Sequence, residues 1–337
     1  MQRYVLYNQD VSVASFAVDA GTVTAFVPLR PELLPMQIRA ASAEGFTAWV
    51  RERAIDLNTF QHRQLMHGLL GTRDKVTIAL RTHMFSLSDT FTCFAEDAFV
   101  PRKALCAPEA QNEISDFILV GEDTTLRRVG FPTPNASTDG SLPKTWRFEE
   151  GAWWLYKLQS EAATRSEYEI SCVLRECGWD AAEYAVDPAD LSRIRTRNFV
   201  GENEFFEPYD SVRYLFADRS DDDAVIAANL ASLGPAFLKA WKRILLADAL
   251  FENTDRHMRN FGVIRSAMTG EVLRLAPNYD NNQAYLANPG GRYSDQMLRL
   301  LTASEEVDKN DLRQLVRACE KHPYLREAAE AGKRVLQ

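Results

Sequence analysis

The side chains best placed to do chemistry lie in the segment Phe251–Gly262 and at Asp280, the last residue of Pro277–Asp280. Phosphoryl transfer needs a carboxylate to orient the attacking hydroxyl, and it needs carboxamide and carboxylate oxygens to hold magnesium on nucleotide phosphates. Asp255 and Asn260 have the Asp-x-x-x-x-Asn spacing of a kinase catalytic loop. Asp280 follows at a distance that lets a short hairpin return it to the same metal. The pattern therefore predicts a phosphoryl-transfer site.

The spacing of Asp255 and Asn260 is weak evidence by itself, because about one chance match is expected in a chain of this length. The longer string Asn253–Gly262 reads Asn-Thr-Asp-Arg-His-Met-Arg-Asn-Phe-Gly, and Ala276–Asp280 reads Ala-Pro-Asn-Tyr-Asp. Together they resemble the C-terminal domain of HipA-type serine/threonine kinases. The resemblance implies that Asp255 is the catalytic aspartate and that Asn260 and Asp280 hold Mg²⁺. The alternative is a polar corner with capping side chains.

His257 stands two positions after the candidate catalytic aspartate, Asp255. A histidine beside a catalytic carboxylate can act as a general base. The resemblance favours a structural role instead, in which His257 holds the loop or the metal-binding Asp280.

A phosphate-binding loop is expected upstream. Phe131–Gly140 is rich in Pro, Asn, Ser, Thr and Gly, as loops are. HipA-like proteins carry a Ser/Thr- and Gly-containing loop over the ATP phosphates, ahead of a Pro-Lys pair, and Gly140 and Ser141 match it before Pro143 and Lys144. A glycine lets backbone N–H groups approach phosphate oxygens closely. The resemblance also implies self-phosphorylation in this loop, where Ser137, Thr138 and Ser141 are the candidates. Ser141 is the first choice because it directly follows Gly140, and the sequence does not separate it from Ser137. A flexible hairpin tip is the alternative interpretation.

The run Gly151–Lys157 is predicted to be a strand on which Lys157 shares a face with Trp153 and Leu155. An inward lysine is costly unless it has an anionic partner. Kinases use such a strand lysine to hold the α- and β-phosphates of ATP. Lys157 is therefore the candidate, and a lysine that extends its amine to water is the alternative.

A helix is predicted over Ser160–Cys177, closed by Gly178 as a C-terminal cap. Kinases position the strand lysine with a glutamate on the next helix. The resemblance implies a glutamate near the start of the apolar part of this helix. Glu167 fits best, and Glu169 is the second choice.

The remaining pattern predicts a mixture of strands and helices. Strands are expected where Val, Tyr, Phe and Ile cluster, and helices where apolar residues recur every three or four positions. The expected strands are Tyr4–Leu6, Val11–Val18, Phe117–Gly121 and Ile194–Val200, and the expected helices are Ala43–Ala54, Thr59–Leu70, Ile78–Met84, Pro235–Leu250 and two within Leu312–Leu336.

The order of these elements predicts an α+β chain in three parts. Residues 1–110 form a mixed N-terminal α/β extension, residues 111–205 a nucleotide-binding small lobe, and residues 206–337 a mostly helical large lobe with the catalytic loop. The resemblance implies a bilobal, protein-kinase-like fold of the HipA type for the last two parts.

Composition sets limits on the class of protein. The 337 residues are 46% hydrophobic and 26% charged, which is ordinary for a globular protein with a sizeable core. The net charge of −8 argues against direct nucleic-acid binding by the chain as a whole, because phosphate contacts need a basic face.

The five cysteines form no Cys-x-x-Cys pair, so a zinc site is not expected and a reducing compartment is favoured. The N-terminus lacks the apolar core of a signal peptide, and no apolar run reaches membrane-spanning length. We therefore expect a cytoplasmic protein without membrane association.

These observations predict an ATP- and Mg²⁺-dependent serine/threonine protein kinase. Two alternatives remain open, a small-molecule kinase of the same fold and a catalytically silent binding protein. The retention of Asp255, Asn260, Asp280 and Lys157 argues against the silent protein. The resemblance also implies the toxin of a toxin–antitoxin pair, with a small helix-turn-helix antitoxin as partner. The sequence does not identify the acceptor protein.

Overall fold

The computed structural model describes residues 1–55, 70–105, 134–137, 142–188, 190–288, 293–304 and 307–337, together with residues 63 and 115. The predicted strand Phe117–Gly121, nearly all of the predicted helix Thr59–Leu70, and the loop residues Gly140 and Ser141 lie outside the described residues. The chain divides into two compact units. Unit 1 is Met1–Leu158, Val200–Glu207 and Ile264–Glu271, and unit 2 is Gln159–Phe199, Pro208–Val263 and Val272–Gln337.

Unit 1 begins with an antiparallel sheet. The strands are hydrogen bonded in the order β3-β2-β1-β4, with β1 at Gln2–Asn8, β2 at Val11–Asp19, β3 at Thr22–Pro28 and β4 at Phe91–Ala95. Leu6 of β1 lies opposite Ala14 of β2 and Cys93 of β4, and all three are fully buried. This row of apolar side chains fixes the register of the sheet, because a shift of one residue would turn it to the other face.

Two helices pack on this sheet and complete the core, α1 at Ala43–Glu52 and α2 at Lys75–Arg81. Phe46 of α1 stacks on Phe26 with ring centroids 4.0 Å apart and meets Phe16 edge-on at 5.0 Å. The strands predicted at Tyr4–Leu6 and Val11–Val18 and the helix predicted at Ala43–Ala54 are confirmed in position. The helix predicted at Ile78–Met84 needs a correction to its boundaries.

That correction concerns α2, which was predicted over Ile78–Met84 and begins three residues earlier. Asp74 sets the start, since its carboxylate accepts the N–H of Thr77 at 2.8 Å. The helix ends at Arg81 because His83 and Met84 both have a φ of +54°, in the left-handed region that cannot continue a right-handed helix.

A β-hairpin follows in unit 1, with β5 at Lys144–Glu149 and β6 at Ala152–Leu158. Glu150 and Gly151 form its two-residue turn with φ values of +55° and +75°. Two positive φ values are typical of the tight turn whose twist matches antiparallel strands. The strand predicted at Gly151–Lys157 is therefore confirmed, displaced by one residue. The short helix α3 at Arg102–Leu105 also belongs to unit 1.

A buried ion pair joins the two later segments of unit 1, Val200–Glu207 and Ile264–Glu271. It joins Arg265 of β10 (Gly262–Ser266) to Glu207 of β9 (Glu204–Pro208) at 2.5 Å, and Arg265 is fully buried. Arg265 also donates to the carbonyl oxygens of Leu34 and Gly270, at 3.0 and 2.9 Å. These contacts hold the chain around Leu34 against both late segments.

Unit 2 is mostly helical. Its described strands are β7 (Tyr184–Asp187), β8 (Asp190–Arg197) and β11 (Val272–Leu275). Its described helices are, in chain order, α4 (Glu161–Glu176), α5 (Tyr209–Val212), α6 (Asp223–Leu233), α7 (Pro235–Phe251), α8 (Gln296–Ala303), α9 (Lys309–Cys319) and α10 (Arg326–Leu336). Short 3-10 turns of unit 2 lie at Arg213–Leu215, Tyr285–Ala287 and Pro323–Leu325, and those of unit 1 lie at Pro31–Leu33, Met36–Ile38 and Pro134–Ser137. None of the described helices is long and apolar enough to cross a membrane.

The two helices that frame the site were predicted nearly to the residue. α4 begins after Ser160, whose hydroxyl accepts the N–H of Ala163 at 3.2 Å, and it stops before Gly178, where φ is +67°. α7 begins at Pro235, which suits a first turn because its missing N–H has no helical partner to lose. Both helices contribute to one core with α9 and α10, so their positions are set by packing as well as by caps.

Candidate active site

The catalytic loop leaves the buried end of α7. Asp248, on the last turns of this helix, is only 4% exposed among apolar neighbours. Glu252 ends the helix with a φ of +51°, and the N–H of Asn253 then bonds back to the carbonyl of Asp248 at 2.9 Å. The carboxylate of Glu252 accepts the hydroxyl and the N–H of Ser294, at 2.6 and 3.1 Å. The chain therefore enters the loop from a fixed helix end.

Arg256 is the centre of a hydrogen-bond network in unit 2. Its guanidinium makes a two-pronged ion pair with Asp248, with both N···O distances at 2.9 Å, and both side chains are nearly buried. Burial lowers the pKa of Arg256, but the nearby carboxylates, Asp248 foremost and Asp280 among them, outweigh it and leave the pKa raised. Arg256 therefore stays positively charged, and it lies between the catalytic loop and the segment that carries Asp280.

The same guanidinium joins the catalytic loop to the metal-binding segment. One nitrogen of Arg256 donates to the carbonyl oxygens of Asn260 and Tyr279, each at 2.7 Å. Asn260 is itself a predicted magnesium ligand, and Tyr279 directly precedes the other predicted ligand, Asp280. The hydrogen bonds therefore bring Asn260 and the backbone before Asp280 to one side chain.

Carboxamides extend this network. Asn281 accepts from Arg256 at 2.9 Å through its side-chain oxygen, and its side-chain nitrogen donates to Asn278 at 2.8 Å. Asn253 donates to Asp248 at 3.0 Å. All three asparagines are at least 95% buried. Buried polar groups are stabilising only when they are hydrogen bonded, so this network holds a single arrangement of the loop.

Asp255 and Asn260 lie at the two ends of the loop. The side-chain N–H₂ of Asn260 donates to the backbone oxygen of Asp255 at 2.8 Å. This leaves the Oδ1 of Asn260 as the amide atom suited to ligate a cation. Asp255 is half-buried, and no described residue hydrogen bonds to its carboxylate. An accessible carboxylate is what a group that handles an incoming hydroxyl requires.

Asp280 is held by its backbone. Its φ of +61° lies in the left-handed region, which aspartate tolerates better than most residues but at some cost in free energy. Its N–H donates to the hydroxyl of Tyr184 at 3.1 Å. Unfavourable backbone conformations of this kind persist where the surroundings impose them, and they cluster at functional sites.

Glu167 lies in the middle of α4 and is fully buried. Its carboxylate accepts the side-chain N–H₂ of Gln159 at 3.0 Å, and the hydroxyl of Tyr184 lies 3.5 Å from its other oxygen. Tyr184 therefore stands between Glu167 and the backbone of Asp280. Within unit 2 the structure brings four predicted residues, Glu167, Asp255, Asn260 and Asp280, into one network.

Lys157 belongs to unit 1 and is 5% exposed on β6. The predicted burial of this lysine is therefore observed. The predicted pattern of the strand differs, since Trp154 is buried while Trp153 and Leu155 are only partly so. Both faces of β6 are covered in part, so burial does not follow a simple alternation.

His257 contacts the loop itself. Its Nδ1 accepts the backbone N–H of Arg259 at 3.2 Å, and the carbonyl of His257 accepts the N–H of Asn260 at 2.8 Å. The ring is exposed. These contacts fit the structural role expected for His257, in which it braces the turn that leads to Asn260.

Sequence reasoning did not identify Arg256, Asp248, Asn281 or Tyr184 as parts of the site. A signal existed for Asp248, because a lone acidic residue inside an apolar helical stripe needs a buried partner. Arg256 lies within the matched string, yet its role depends on contacts that spacing does not reveal. Tyr184 carries no local signal.

The donor set fits magnesium held jointly with a nucleotide. Asn260 supplies an amide oxygen and Asp280 a carboxylate, and both are hard oxygen ligands. Among the described residues, no group of three or more His, Cys, Asp or Glu side chains is placed to hold a metal ion by itself. Magnesium usually retains water and takes one or two carboxylates together with substrate phosphates.

A comparison with a solved structure supports the fold. No protein-family model matches the chain, and no curated protein matches it in sequence. The Shewanella oneidensis MR-1 structure of the toxin–antitoxin system HipA, HipB and its operator DNA matches over 99% of this chain and 91% of that chain, with a TM-score of 0.60 and 12% identity. The Helicobacter pylori proinflammatory kinase CtkA matches over 57% of this chain and 88% of that chain, with a TM-score of 0.41 and 15% identity. On the strength of the HipA match, the chain has a HipA-like kinase fold.

Proposed function

We propose that this protein transfers the γ-phosphoryl group of ATP, in complex with Mg²⁺, to a serine or threonine hydroxyl of a protein. The observation that carries this proposal is the network of Arg256. Its guanidinium donates to the carbonyl oxygens of Asn260 and Tyr279. Asn260 is one candidate magnesium ligand, and Tyr279 directly precedes the second candidate, Asp280. Arg256 therefore holds the backbone of both ligand segments. A phosphoryl-transfer site depends mainly on such positioning, because the protein contributes little covalent chemistry.

Each residue has a proposed role. Asp255 orients the acceptor hydroxyl and takes its proton. Asn260 and Asp280 supply oxygen ligands for Mg²⁺, which neutralises charge on the nucleotide phosphates. Lys157 binds the α- and β-phosphates and Glu167 positions that lysine.

Gly140 and Ser141 remain proposed as part of the loop that covers the phosphates. Ser141 also remains the proposed site of self-phosphorylation. A phosphate there would place up to about two negative charges beside the phosphates of ATP and would weaken nucleotide binding.

The test of this function is phosphate transfer from radiolabelled ATP. The protein is incubated with MgATP and cell extract, and labelled proteins are mapped for modified serine and threonine. Asp255→Asn should reduce the rate of labelling by about 100-fold or more. Asp221→Asn, at an exposed aspartate in a loop, is the matched control and should leave labelling unchanged. Labelling that persists at full level in Asp255→Asn, or label found only on small molecules, would overturn the proposal of a protein kinase.

We also propose a small DNA-binding antitoxin as partner. The support is the matched Shewanella structure, in which HipA is described together with HipB and operator DNA. DNA contact would then be made through the partner, in keeping with the net charge of −8 on this chain. Affinity capture of this chain co-expressed with a neighbouring helix-turn-helix reading frame tests the pairing. Recovery of the chain without that protein would argue against it.

A further inference from the structure

The peptide group that joins Tyr279 to Asp280 is held at both ends by side chains. Its carbonyl oxygen accepts a hydrogen bond from the guanidinium of Arg256 at 2.7 Å, and its N–H donates to the hydroxyl of Tyr184 at 3.1 Å. Both distances lie in the normal range for hydrogen bonds. Because the two side chains act on opposite ends of one planar group, together they fix the orientation of that plane.

A short parallel ladder runs up to this peptide group. Asn278 donates its N–H to the carbonyl of Asp180, and its own carbonyl accepts the N–H of Ala182, both at 2.9 Å. In a continued parallel ladder, the N–H of Asp280 would donate to the carbonyl of Ala182. Asp280 would then have the extended backbone of a strand.

The ladder stops at Asp280 instead. The φ of Asp280 is +61°, in the left-handed region, which is incompatible with an extended strand. The carbonyl of Ala182 accepts the hydroxyl of Ser171 from α4. The hydroxyl of Tyr184 accepts the N–H that a continued ladder would have used. Tyr184 therefore replaces a strand partner at the residue where the chain leaves the ladder.

The backbone after Asp280 is also held, in this case from α4. The hydroxyl of Ser166 donates to the carbonyl of Asn281 at 2.7 Å, and Ser166 is fully buried. Asp280 thus lies between two fixed backbone groups, the peptide before it and the carbonyl after it. A left-handed conformation is unfavourable for residues other than glycine, and it persists where the surroundings impose it in this way.

The direction of the hydrogen bonds at Tyr184 follows from the groups around it. A backbone N–H only donates, so the oxygen of Tyr184 accepts from Asp280. The proton of the hydroxyl points elsewhere, and a carboxylate oxygen of the fully buried Glu167 lies 3.5 Å from the hydroxyl oxygen. A hydroxyl that donates while it accepts is a stronger acceptor, because hydrogen bonds in a chain polarise one another.

We propose that Tyr184 is a positioning residue for Asp280. Its hydroxyl holds the backbone of Asp280 in the left-handed conformation, and that conformation sets the direction in which the carboxylate leaves the chain. This role rests on the proposed function, in which the Asp280 carboxylate is a ligand of Mg²⁺ bound with ATP. Loss of the hydroxyl should weaken the hold on the metal and leave metal-independent contacts with the nucleotide as they are.

Tyr184→Phe tests this role, because it removes the hydroxyl and keeps the ring. Calorimetric titrations of the full chain measure the affinity for ATP at a series of free Mg²⁺ concentrations and in EDTA. The variant should need about three- to tenfold more Mg²⁺ for half of the maximal gain in affinity, which is the effect of one lost hydrogen bond. Its affinity for ATP in EDTA should match that of the wild type. An unchanged Mg²⁺ requirement would overturn the proposal.

Tyr209→Phe is the matched control. The hydroxyl of Tyr209 accepts the side-chain N–H₂ of Asn229 at 3.1 Å, the same distance as at Tyr184, and Tyr209 is also buried in unit 2. This variant loses a comparable hydrogen bond but should keep the wild-type Mg²⁺ requirement. Equal shifts in the two variants would indicate a general loss of structure and would contradict the role of Tyr184.

Hydrogen exchange at the Asp280 amide, followed without nucleotide, tests the backbone contact directly. The exchange should become several-fold faster in Tyr184→Phe and stay at the wild-type rate in Tyr209→Phe. An unchanged rate in Tyr184→Phe would show that the hydroxyl does not hold this backbone. Wild-type protein that binds no MgATP would overturn the proposed function, whereas the exchange rate reports on the Asp280 backbone in either case.

A double variant shows whether Tyr184 acts through Asp280. In the Asp280→Asn background the charged ligand is already lost, so Tyr184→Phe should cause no further change in the Mg²⁺ requirement. A full additional shift would mean that Tyr184 affects the metal by a route other than Asp280, and the positioning role would be wrong.

Discussion

At the residue scale, the site depends on the shape of one cation as well as on its charge. The guanidinium of Arg256 contacts Asp248, Asn281 and two backbone carbonyls at the same time. A lysine keeps the charge but cannot present donors in a planar fork. Its ammonium would leave some of these buried acceptors without a partner, and an unsatisfied buried group costs about 1–3 kcal/mol.

Arg256→Lys should therefore reduce the free energy of unfolding by about 2–4 kcal/mol and abolish phosphate transfer. Urea denaturation gives the stability, and hydrogen exchange of the α7 amides shows whether the loss is local to the helix that carries Asp248. Arg213→Lys is the control, because Arg213 pairs with Asp210 in a partly exposed ion pair and should change stability by less than about 1 kcal/mol. Similar losses in the two variants would mean that the network has no special role.

The two candidate aspartates should respond differently to the same change. Asp255→Asn should leave MgATP affinity within a few fold and lower turnover by about 100- to 10,000-fold, because Asp255 acts on the acceptor. Asp280→Asn should weaken MgATP binding as well, since it removes a charged ligand of the metal. Asparagine also tolerates a positive φ, so this change tests charge without adding backbone strain. Calorimetry and steady-state rates measure the two effects, and an unchanged MgATP affinity in Asp280→Asn would contradict its role.

The sequence indicated the candidate catalytic and metal-binding residues, but it did not indicate the residues that hold them in place. Asp255, Asn260 and Asp280 lie close together in the chain, and their types and order are recognisable. Their support is not local. Arg256 reaches Asn281 across 25 positions, and Tyr184 reaches the N–H of Asp280 across 96. Contacts of such separation depend on the tertiary fold, which single-residue patterns do not encode.

At the element scale, helix caps made the sequence informative. Ser160, Gly178 and Pro235 stand where helices start or stop, and the structure places the boundaries there. The start of α2 was predicted three residues too late, because the sequence prediction did not use Asp74 as the capping residue of the helix. Local signals therefore set the boundaries of elements, while side-chain packing sets how they meet.

The contact between α9 and α10 gives a test of that packing. A β-carbon on Gly332 would lie 2.3 Å from the Cγ2 of Val316, and Val316 is 5% exposed. Gly332→Ala should raise helix propensity by about 1 kcal/mol, yet the overlap should make the variant less stable overall, by about 1–3 kcal/mol.

The double variant Gly332→Ala with Val316→Ala checks the cause of that loss. Removing the valine methyl groups opens the space that the new β-carbon needs. The double variant should therefore be more stable than the sum of the two single changes predicts, as urea denaturation would show. Strict additivity would mean that the two residues do not compete for the same space.

At the scale of the whole molecule, a chain of hydrogen bonds in unit 2 connects the segment that carries Asp280 with the rest of the proposed site of phosphate transfer. Asn281 bonds to Asn278, and Arg256 bonds to Asn281 and to the carbonyl oxygens of Asn260 and Tyr279. These hydrogen bonds order the segment before a nucleotide binds. Ordering that segment in advance lowers the cost of binding a nucleotide.

Asn281→Ala should therefore weaken MgATP binding by about two- to fivefold, because the segment that carries Asp280 loses a contact with Arg256 and must be ordered when the nucleotide binds. Calorimetric titration with MgATP measures the affinity. Gln283→Ala, at an exposed side chain two positions further on, is the control and should leave the affinity unchanged. Wild-type MgATP affinity in Asn281→Ala would show that these hydrogen bonds do not prepare the site for the nucleotide.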